Sequence, residues 1–347
     1  MTKKQHAAES NAAILMPNWV GDFILGLSVI LQKYSPNDAV TLIVPEKLAS
    51  LSKVVNPYRT IIYRRGNRSE FKATIAEIQA CAFTEIYLLP RSLSAGILAF
   101  RSGIPRRRGL CGEFRNLLLT ERLPRATENR NIHLTNEYSA VLETPHVEPG
   151  AWPGISLQPL CISEYNDSIV LCPGAAYGPA KLWPGFRELV TLLPEMNFII
   201  LGTQNDAEAI GNTFRDHEFH VKNVAGKTTL AAAAAIISSA SLVVSNDSGL
   251  LHLAGFLGVS CIGIYTSTSP EWTRPLGRDT IVFESGCACA PCFKRTCLRH
   301  SYECHSAISA QEIAQTVSAM RLSAEKRRSA KTAAPAFDWA CLNYPAK

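Results

Sequence analysis

The chain has 347 residues, of which 47% are hydrophobic, and its formal net charge is +6. This length predicts two domains, each able to bury its own core. The charge is too small to indicate nucleic-acid binding but fits an anionic substrate or a membrane surface. A polar start and short apolar runs argue against a signal peptide or a membrane span, so we expect a cytoplasmic protein. The eleven Cys residues then indicate reduced thiols, with Cys172 and Cys261 buried in apolar segments, rather than a disulfide framework.

Short β-rich runs alternate with helical patterns along the chain, which predicts parallel sheets covered by helices on both faces. The strands predicted in the first half cover residues 12–16, 40–44, 60–63 and 86–89, with helices at 23–34 and 71–82. Those of the second half cover 168–172, 198–202, 242–245, 261–265 and 280–283, with helices near 185–193, 206–217, 229–239 and 249–257 and a last one at 311–324. The expected fold class is α/β, with two doubly wound, Rossmann-like parallel-sheet domains.

The spacing of Pro and Gly over residues 143–159 predicts a linker. We therefore expect an N-terminal domain over residues 1–160 and a C-terminal domain over 161–320. A basic, loosely ordered tail is expected over 321–347. Because open α/β sheets bind ligands beyond the carboxyl ends of their strands, a cleft between the two halves is the expected site of chemistry.

The stretch "MPNWVGDFILGL" leaves the first predicted strand and places Asp22 at the start of an apolar helix. Gly21 permits a close backbone approach there. An Asp in this position serves either as a helix cap or as a general base near an incoming hydroxyl group. Both interpretations stay open on the residues alone.

Two further loops follow predicted strands and carry groups that suit an anionic, sugar-bearing ligand. In "CPGAAYGPAKLWPGF", Lys181 stands just ahead of a helix whose N-terminus attracts anions. In "SNDSGLLHLAGFLG", Asp247 could cap the following helix or accept hydrogen bonds from sugar hydroxyls, while Ser248 and Gly249 could meet phosphate. His252 follows within the first turn and is more typical of a partly buried core His than of an acid or ligand.

A fourth loop, "YTSTSPEWTRPLG", offers uncharged hydroxyl groups for a phosphate or a sugar. The segment "AGKTTL" at 225–230 imitates a P-loop but has Val221 where the motif requires Gly, so Thr228 or Thr229 is better interpreted as a helix cap. Metal-ligand spacings are absent from these loops, which leaves Lys181 and helix termini to neutralise a leaving group.

These loops together resemble a known family. The segments that carry the resemblance are "PNWVGD", "YLLPRSLSAGILAFRSGIPRRRG", "CPGAAYGPAKLWP", "VAGKTTL", "SNDSGLLHLAGFLG" and "YTSTSPEWTRPLG". In this order along the chain they are similar to glycosyltransferase family 9, and most closely to its branch that adds the second heptose of the lipopolysaccharide core. One departure is Ala176, where many relatives have an acidic residue.

The resemblance implies the GT-B architecture, with the acceptor on the N-terminal domain and the nucleotide sugar on the C-terminal one. It implies inverting, metal-independent transfer of L-glycero-D-manno-heptose from ADP-heptose to the first heptose of the inner core, without a cofactor. Asp22 matches the catalytic base and Lys181 the residue that holds the donor phosphates. The remaining donor-binding positions are Asp247, Ser248, Gly249, Gly174 and Ala175.

The inner-core acceptor carries carboxylates and phosphates, which gives the basic residues of the N-terminal half a use. Arg64, Arg106 and Arg107 are the candidate acceptor-binding residues, and each is also explained as a solvated surface charge. We further expect a monomer that does not bind nucleic acid and contacts the inner face of the cytoplasmic membrane peripherally. The basic tail, with Phe337 and Trp339, is one candidate for that contact.

Other functions remain to be separated from this one. Heptosyltransferase I or III, or another sugar transferase of the family, would differ only in the acceptor. Asp22 and Lys181, both present, argue against a non-catalytic sugar-nucleotide-binding protein, and a turnover assay separates the two. A dinucleotide-dependent oxidoreductase would need a G-x-G-x-x-G fingerprint, which neither half contains.

Five Cys residues cluster late in the chain, at positions 287, 289, 292, 297 and 304. Cys289 and Cys292, followed by Cys297 and Cys304, could supply four thiolates to zinc or an iron–sulfur cluster, but the second pair is spaced too widely for a typical zinc ribbon. Free thiols or a redox pair are the favoured interpretation.

Overall fold

The computed structural model describes residues 11–112, 114–124, 130–155, 157, 162–217 and 219–330, the last helix with side chains as far as Arg321. The chain divides into two compact units between Val147 and Glu148. The division falls inside the 143–159 segment interpreted as a linker.

The first unit is built on a six-stranded sheet with the order β3-β2-β1-β4-β5-β6, in which all neighbouring pairs run parallel. Its strands are β1 (Ala12–Leu15), β2 (Val40–Pro45), β3 (Arg59–Tyr63), β4 (Glu85–Leu88), β5 (Arg106–Leu110) and β6 (Glu121–Leu123). Its helices are α1 (Val20–Lys33), α2 (Ala49–Val55), α3 (Arg68–Ala80), α4 (Leu93–Arg101) and α5 (Thr135–Leu142), with 3-10 turns at Glu46–Leu48 and Arg115–Leu118. The four strands predicted in this half are confirmed to within two residues at each end.

Strand β5 was not predicted, because three of its five residues are arginines. Arg106 donates to Glu85, Glu121 and Glu143, and Arg108 donates to Glu121 at 2.8 Å. These hydrogen bonds hold the pKa of Glu121 at about 2. The charges of Arg106 and Arg108 are neutralised by carboxylates distant in the sequence and Arg107 donates to backbone carbonyls, so the strand forms without an apolar pattern.

The second unit repeats this plan with a six-stranded parallel sheet of order β12-β11-β10-β7-β8-β9. Its strands are β7 (Ile169–Cys172), β8 (Phe198–Ile200), β9 (Val221–Asn223), β10 (Leu242–Asn246), β11 (Cys261–Tyr265) and β12 (Thr280–Glu284). Its helices are α6 (Phe186–Leu192), α7 (Ala207–Phe214), α8 (Leu230–Ser239), α9 (Gly249–Phe256), α10 (Pro270–Thr273), α11 (Glu303–Ser306) and α12 (Ala310–Ala330), with 3-10 turns at Ser163–Tyr165, Pro179–Lys181 and Arg215–His217.

The core of the second unit explains why the predicted pattern holds there. Its strands β7, β8, β10 and β11 are mostly apolar, and their side chains pack with those of α6 and α12 into one buried cluster. The Trp183 indole donates to the Ile308 carbonyl at 3.0 Å, which ties the start of α6 to the approach of α12. Thr229 caps α8 by accepting from the Ala232 amide, as predicted for the segment that imitates a P-loop. Cys172 and Cys261 are buried, as expected.

Counted from its own first strand, each sheet has the doubly wound order 3-2-1-4-5-6. The predicted α/β class with two Rossmann-like sheets is therefore confirmed. In such sheets the ligand binds where the strand order reverses, beyond the carboxyl ends of the two central strands. That point lies between β1 and β4 in the first unit and between β7 and β10 in the second. In the described part of the chain, no helix is both long and apolar enough to cross a membrane.

Candidate active site

The switch point of the second unit brings together two of the predicted loops. Lys181 ends the 3-10 turn Pro179–Lys181 that follows β7, and Asp247 comes directly after β10. Their side chains meet: the Lys181 ammonium lies 2.5 Å from the Asp247 Oδ2 and 3.2 Å from the Asp247 carbonyl oxygen. The carboxylate is 4% exposed and the Lys181 side chain 14% exposed. Two residues that are 66 positions apart therefore form a buried ion pair.

The Asp247 carboxylate has further partners from the fourth loop and from α9. Thr268 Oγ1 donates to its Oδ2 at 2.7 Å and Thr273 Oγ1 to its Oδ1 at 3.4 Å, while His252 Nε2 lies 3.7 Å away. Burial by itself raises the pKa of Asp247, but the charge of Lys181 and the imidazole of His252 outweigh burial and hold this pKa well below its usual range. Asp247 is therefore ionised and fixed in place.

Asp247 does not cap α9, which was one interpretation of its position. The N-cap residue is Ser248, and its hydroxyl lies 3.0 Å from Ser245 Oγ rather than on a helix amide. The first N–H groups of α9 are thus not capped by that side chain, and Gly249 opens the helix without a Cβ. Such an N-terminus favours an anion.

Two buried polar atoms at this site have no hydrogen-bond partner among the described residues. They are Nδ1 of His252 and the hydroxyl oxygen of Ser267. His252, expected as a core histidine, is indeed buried, but it stands beside Asp247 rather than in a purely apolar setting. Buried polar groups usually have partners, so both atoms are available to a ligand that enters the site.

The Lys181 loop rests on the Cys-rich segment 287–305. The Arg295 carbonyl oxygen accepts a hydrogen bond from the Ala180 amide at 3.0 Å. The Tyr177 hydroxyl donates to the Phe293 carbonyl at 2.6 Å. Gly178 has φ +142°, and a Cβ there would lie 2.6 Å from the Arg295 carbonyl oxygen. Only glycine fits this close approach.

Gly174 and Ala175 lie in the same loop, two and three positions after β7 ends. A Cβ on Gly174 would stand 2.7 Å from the carboxylate of Asp206, which follows β8. Asp206 was not singled out from the sequence. It places an acidic group beside the loop that contains Ala176.

The five clustered cysteines are all free thiols. Backbone hydrogen bonds, that of Tyr302 first among them, lower the pKa of Cys297, whereas burial and the neighbouring cysteines raise the pKa of Cys304 to about 11. Within the described ranges, no three His, Cys, Asp or Glu side chains are arranged to hold a metal ion.

In the first unit, Asp22 follows β1, the central strand that corresponds to β7 of the second unit. Helix α1 begins at Val20, so Asp22 is the third helical residue and not its cap; the N-cap is Trp19. Asp22 is half-buried. Burial raises the pKa of Tyr138 well above its usual value, and the charge of Asp22 adds to this shift. The ring of Tyr138 packs 3.8 Å from where a Cβ on Gly26 would be, one turn beyond Asp22.

Sequence reasoning missed Arg91, which follows β4 at the same switch point. Its guanidinium lies 3.6 Å from the buried carboxylate of Glu137, and both charges act on Tyr138. The segment "YLLPRS" indicated this position only as part of the family resemblance. The doubly wound strand order identifies it on physical grounds.

The predicted acceptor residues do not lie together. Arg64 follows β3, at the carboxyl edge of the sheet where Asp22 also lies, and pairs with exposed Glu46 at 3.0 Å. Arg106 and Arg107 begin β5 at the opposite, amino edge. Arg106 is bound by acids of its own unit, and Arg107 donates to the Leu118 and Ile104 carbonyls. Their acceptor role stays a prediction.

Comparison with known proteins places this geometry in a family. The family model "Glycosyltransferase family 9 (heptosyltransferase)" matches residues 72–303. Lipopolysaccharide heptosyltransferase 2 of Escherichia coli strain K12 is 28% identical over 299 residues, which cover 76% of this chain and 84% of that protein. Among solved structures, E. coli ADP-heptose lps heptosyltransferase II has a TM-score of 0.75 at 23% identity, covering 91% of this chain and 99% of that one. E. coli heptosyltransferase WaaC with ADP has a TM-score of 0.69 at 17% identity, covering 89% and 99%.

The two doubly wound sheets have the fold of the solved heptosyltransferases, which is the GT-B class of glycosyltransferase. The family model extends over more than half of the chain. The chain belongs to glycosyltransferase family 9, the heptosyltransferases.

Proposed function

We propose that this protein transfers L-glycero-D-manno-heptose from ADP-heptose to the first heptose of the lipopolysaccharide inner core, with inversion and without a metal ion. The similarity to proteins named heptosyltransferase 2 over most of the chain supports this acceptor and donor. The observation that carries the proposal is the buried Lys181–Asp247 pair at the β7/β10 switch point.

Lys181 and the second unit hold the donor. The Lys181 ammonium contacts both the carboxylate and the carbonyl oxygen of Asp247, two residues before α9 begins. A diphosphate bound there meets a cation and a helix N-terminus at once. Asp247, ionised and buried, accepts hydrogen bonds from the sugar hydroxyls, with Ser248, Gly249, Gly174 and Ala175 completing the donor contacts. His252 Nδ1 and Ser267 Oγ are further polar atoms open to this ligand.

Asp22 is the base. The acceptor hydroxyl gives its proton to the Asp22 carboxylate as its oxygen forms a bond to the anomeric carbon. The bond from that carbon to the donor phosphate oxygen breaks, and ADP leaves with the electron pair. A direct displacement of this kind inverts the anomeric configuration and forms no covalent enzyme intermediate.

The charge that develops on ADP is stabilised by Lys181 and by the α9 amides, which perform the electrostatic role that a divalent cation has in other transferases. We therefore expect turnover to persist in EDTA. The acceptor contacts lie on the first unit, where Arg64 and Arg91 follow strands at the same sheet edge as Asp22. The protein acts as a monomer, in the cytoplasm, at the inner face of the cytoplasmic membrane.

The test uses purified protein, ADP-heptose and a core acceptor that carries one heptose, with products analysed by mass and by anomeric configuration. Asp22→Asn keeps the shape of the side chain but removes the base, so kcat should fall by about 10²- to 10⁴-fold. ADP affinity, measured by calorimetry, should stay unchanged. Lys181→Met should lose ADP affinity.

Three results would contradict the proposal: full activity of Asp22→Asn, loss of turnover in EDTA, or a product with retained configuration. Transfer to a core lacking heptose, or to one already carrying two, would instead move the acceptor to that of heptosyltransferase I or III while leaving the donor chemistry intact.

A further inference from the structure

Three large apolar side chains protrude from one surface of the first unit. Phe114 is 94% exposed, Leu117 84% and Phe100 53%. Phe114 and Leu117 lie on the 3-10 turn Arg115–Leu118 and its N-cap, and Phe100 lies near the end of α4. We call these three residues the Phe114 patch.

Helix α4, which carries Phe100, packs against the turn that carries Leu117. A Cβ on Gly96 of α4 would lie 3.2 Å from the Leu118 Cδ1. The Arg107 guanidinium stacks 5.5 Å from the Phe100 ring centroid and donates from its Nε to the Leu118 carbonyl at 2.8 Å. One arginine thus joins the helix side of the patch to the turn side.

The turn is anchored so that its apolar side chains point outward. Arg115 is fully buried, and its Nε donates to the Leu110 carbonyl at 2.8 Å, while its Nη1 donates to the Pro90 carbonyl. With Arg115 fixed beneath the turn, Phe114 adopts a left-handed conformation with φ 59°. Phe114 and Leu117 cannot then turn inward without breaking the Arg115 hydrogen bonds.

Two exposed arginines lie on α4 and on the strand that follows the turn. Arg101 follows Phe100 and is exposed, and exposed Arg122 is in register with Gly109 on the neighbouring strand. Residues in register on parallel strands share a face, so Arg122 lies on the face of Arg107 and Gly109. Glu121, one position away, points to the opposite face, where Arg106 and Arg108 hold it.

We infer that the Phe114 patch docks this protein onto an anionic phospholipid bilayer, with Phe114, Leu117 and Phe100 entering the interface and Arg101 and Arg122 meeting lipid phosphates. Highly exposed apolar side chains with exposed arginines on the same and adjoining elements suit a charged, deformable surface. Apolar burial and attraction to anionic lipid act together in such a contact.

The inference rests on the proposed function only because that function places the protein at the cytoplasmic membrane, and the patch would be the part that makes the contact. It does not depend on the transfer chemistry. Binding to vesicles is therefore measured without ADP-heptose, and its failure is separate from a failure of catalysis on a water-soluble acceptor.

The experiment measures partition of the full chain onto vesicles of phosphatidylcholine, with and without phosphatidylglycerol. The wild type should bind only the anionic vesicles. Phe114→Ser combined with Leu117→Ser should weaken binding by at least about tenfold, because two apolar anchors are lost. Arg101→Gln combined with Arg122→Gln should weaken it by about tenfold and reduce its salt dependence.

Phe219→Ser is the matched control, because Phe219 is 104% exposed but belongs to the second unit. It should bind as the wild type does. In Phe114→Trp, brominated lipid should quench the fluorescence of the introduced tryptophan. In Phe219→Trp it should not. The inference is overturned if the wild type does not bind vesicles or if the Phe114→Ser/Leu117→Ser variant binds them normally. It is also overturned if this variant changes only self-association, measured by light scattering, because a second copy of the chain would then be the occupant of the patch.

Discussion

The Lys181–Asp247 pair is buried, and such pairs respond asymmetrically to substitution. Removing one partner leaves an uncompensated charge in a site that water does not reach, whereas removing both leaves a neutral, polar pocket. The pair therefore offers a way to separate what it does for stability from what it does for the donor.

We predict that Lys181→Met alone lowers the free energy of unfolding of the second unit by about 3–5 kcal/mol, because the buried Asp247 carboxylate loses its ammonium partner. Adding Asp247→Asn should restore most of that stability. ADP affinity should be lost in both variants, since neither has the ammonium. Denaturant unfolding and titration calorimetry measure the two quantities, and recovery of ADP affinity together with stability would make the pair purely structural.

Individual residues of the site were predictable to different degrees. Asp22, Lys181 and Asp247 each follow an apolar strand that the sequence marks clearly, so their placement at strand ends could be inferred. Thr268 and Asp206 come from loops elsewhere in the chain, and their contacts with the site depend on the strand order. Local sequence does not encode that order.

At the scale of elements, apolar strands were predicted, including β8 with only three residues, and strands rich in charged or polar residues were not. The strand Cys261–Tyr265 was predicted without error. Strands β5, β6 and β9 were missed: β5 begins with three arginines, and the other two each have one apolar residue among three. Alternation and apolar runs cannot identify a strand whose charges are paired with distant carboxylates. Tertiary contacts decide those elements.

The contact between the Lys181 loop and the Cys-rich segment gives a prediction about elements. Gly178→Ala forces a Cβ against the Arg295 carbonyl and imposes a backbone conformation that L-residues rarely adopt. We expect the loop to separate from the segment and ADP affinity to fall by about tenfold, equivalent to about 1.4 kcal/mol. Calorimetry with ADP measures the loss.

Gly150→Ala provides the matched control for that loss. Gly150 also has a positive φ, of +84°, but a Cβ there would meet nothing within 4 Å. Both substitutions put an L-residue at a positive φ, but at Gly150 the steric clash is absent and the residue lies outside the Lys181 loop, so ADP affinity should stay at the wild-type value. Equal losses in the two variants would show that the Arg295 contact does not support the donor loop.

At the scale of the whole molecule, the chain uses one plan twice. Each unit has a parallel sheet of the same strand order, and each carries a candidate functional carboxylate beyond a central strand. The sequence indicated two such halves through their alternating pattern, and the structure adds the shared order, which puts Asp22 and Asp247 at equivalent switch points. The proposed division of labour assigns the donor to the second unit and the base to the first.

Amide hydrogen exchange tests that division directly. ADP that binds only the second unit stabilises that unit by mass action. When the ADP concentration is about 100 times the Kd, amide exchange that requires opening of the site should slow by roughly 100-fold. Protection should fall on peptides that contain Lys181 and Asp247, and peptides that contain Asp22 should exchange as in the free protein. In Lys181→Met the protection should disappear. Protection centred on α1, with none at β7 and β10, would place the nucleotide on the first unit and reverse the assignment.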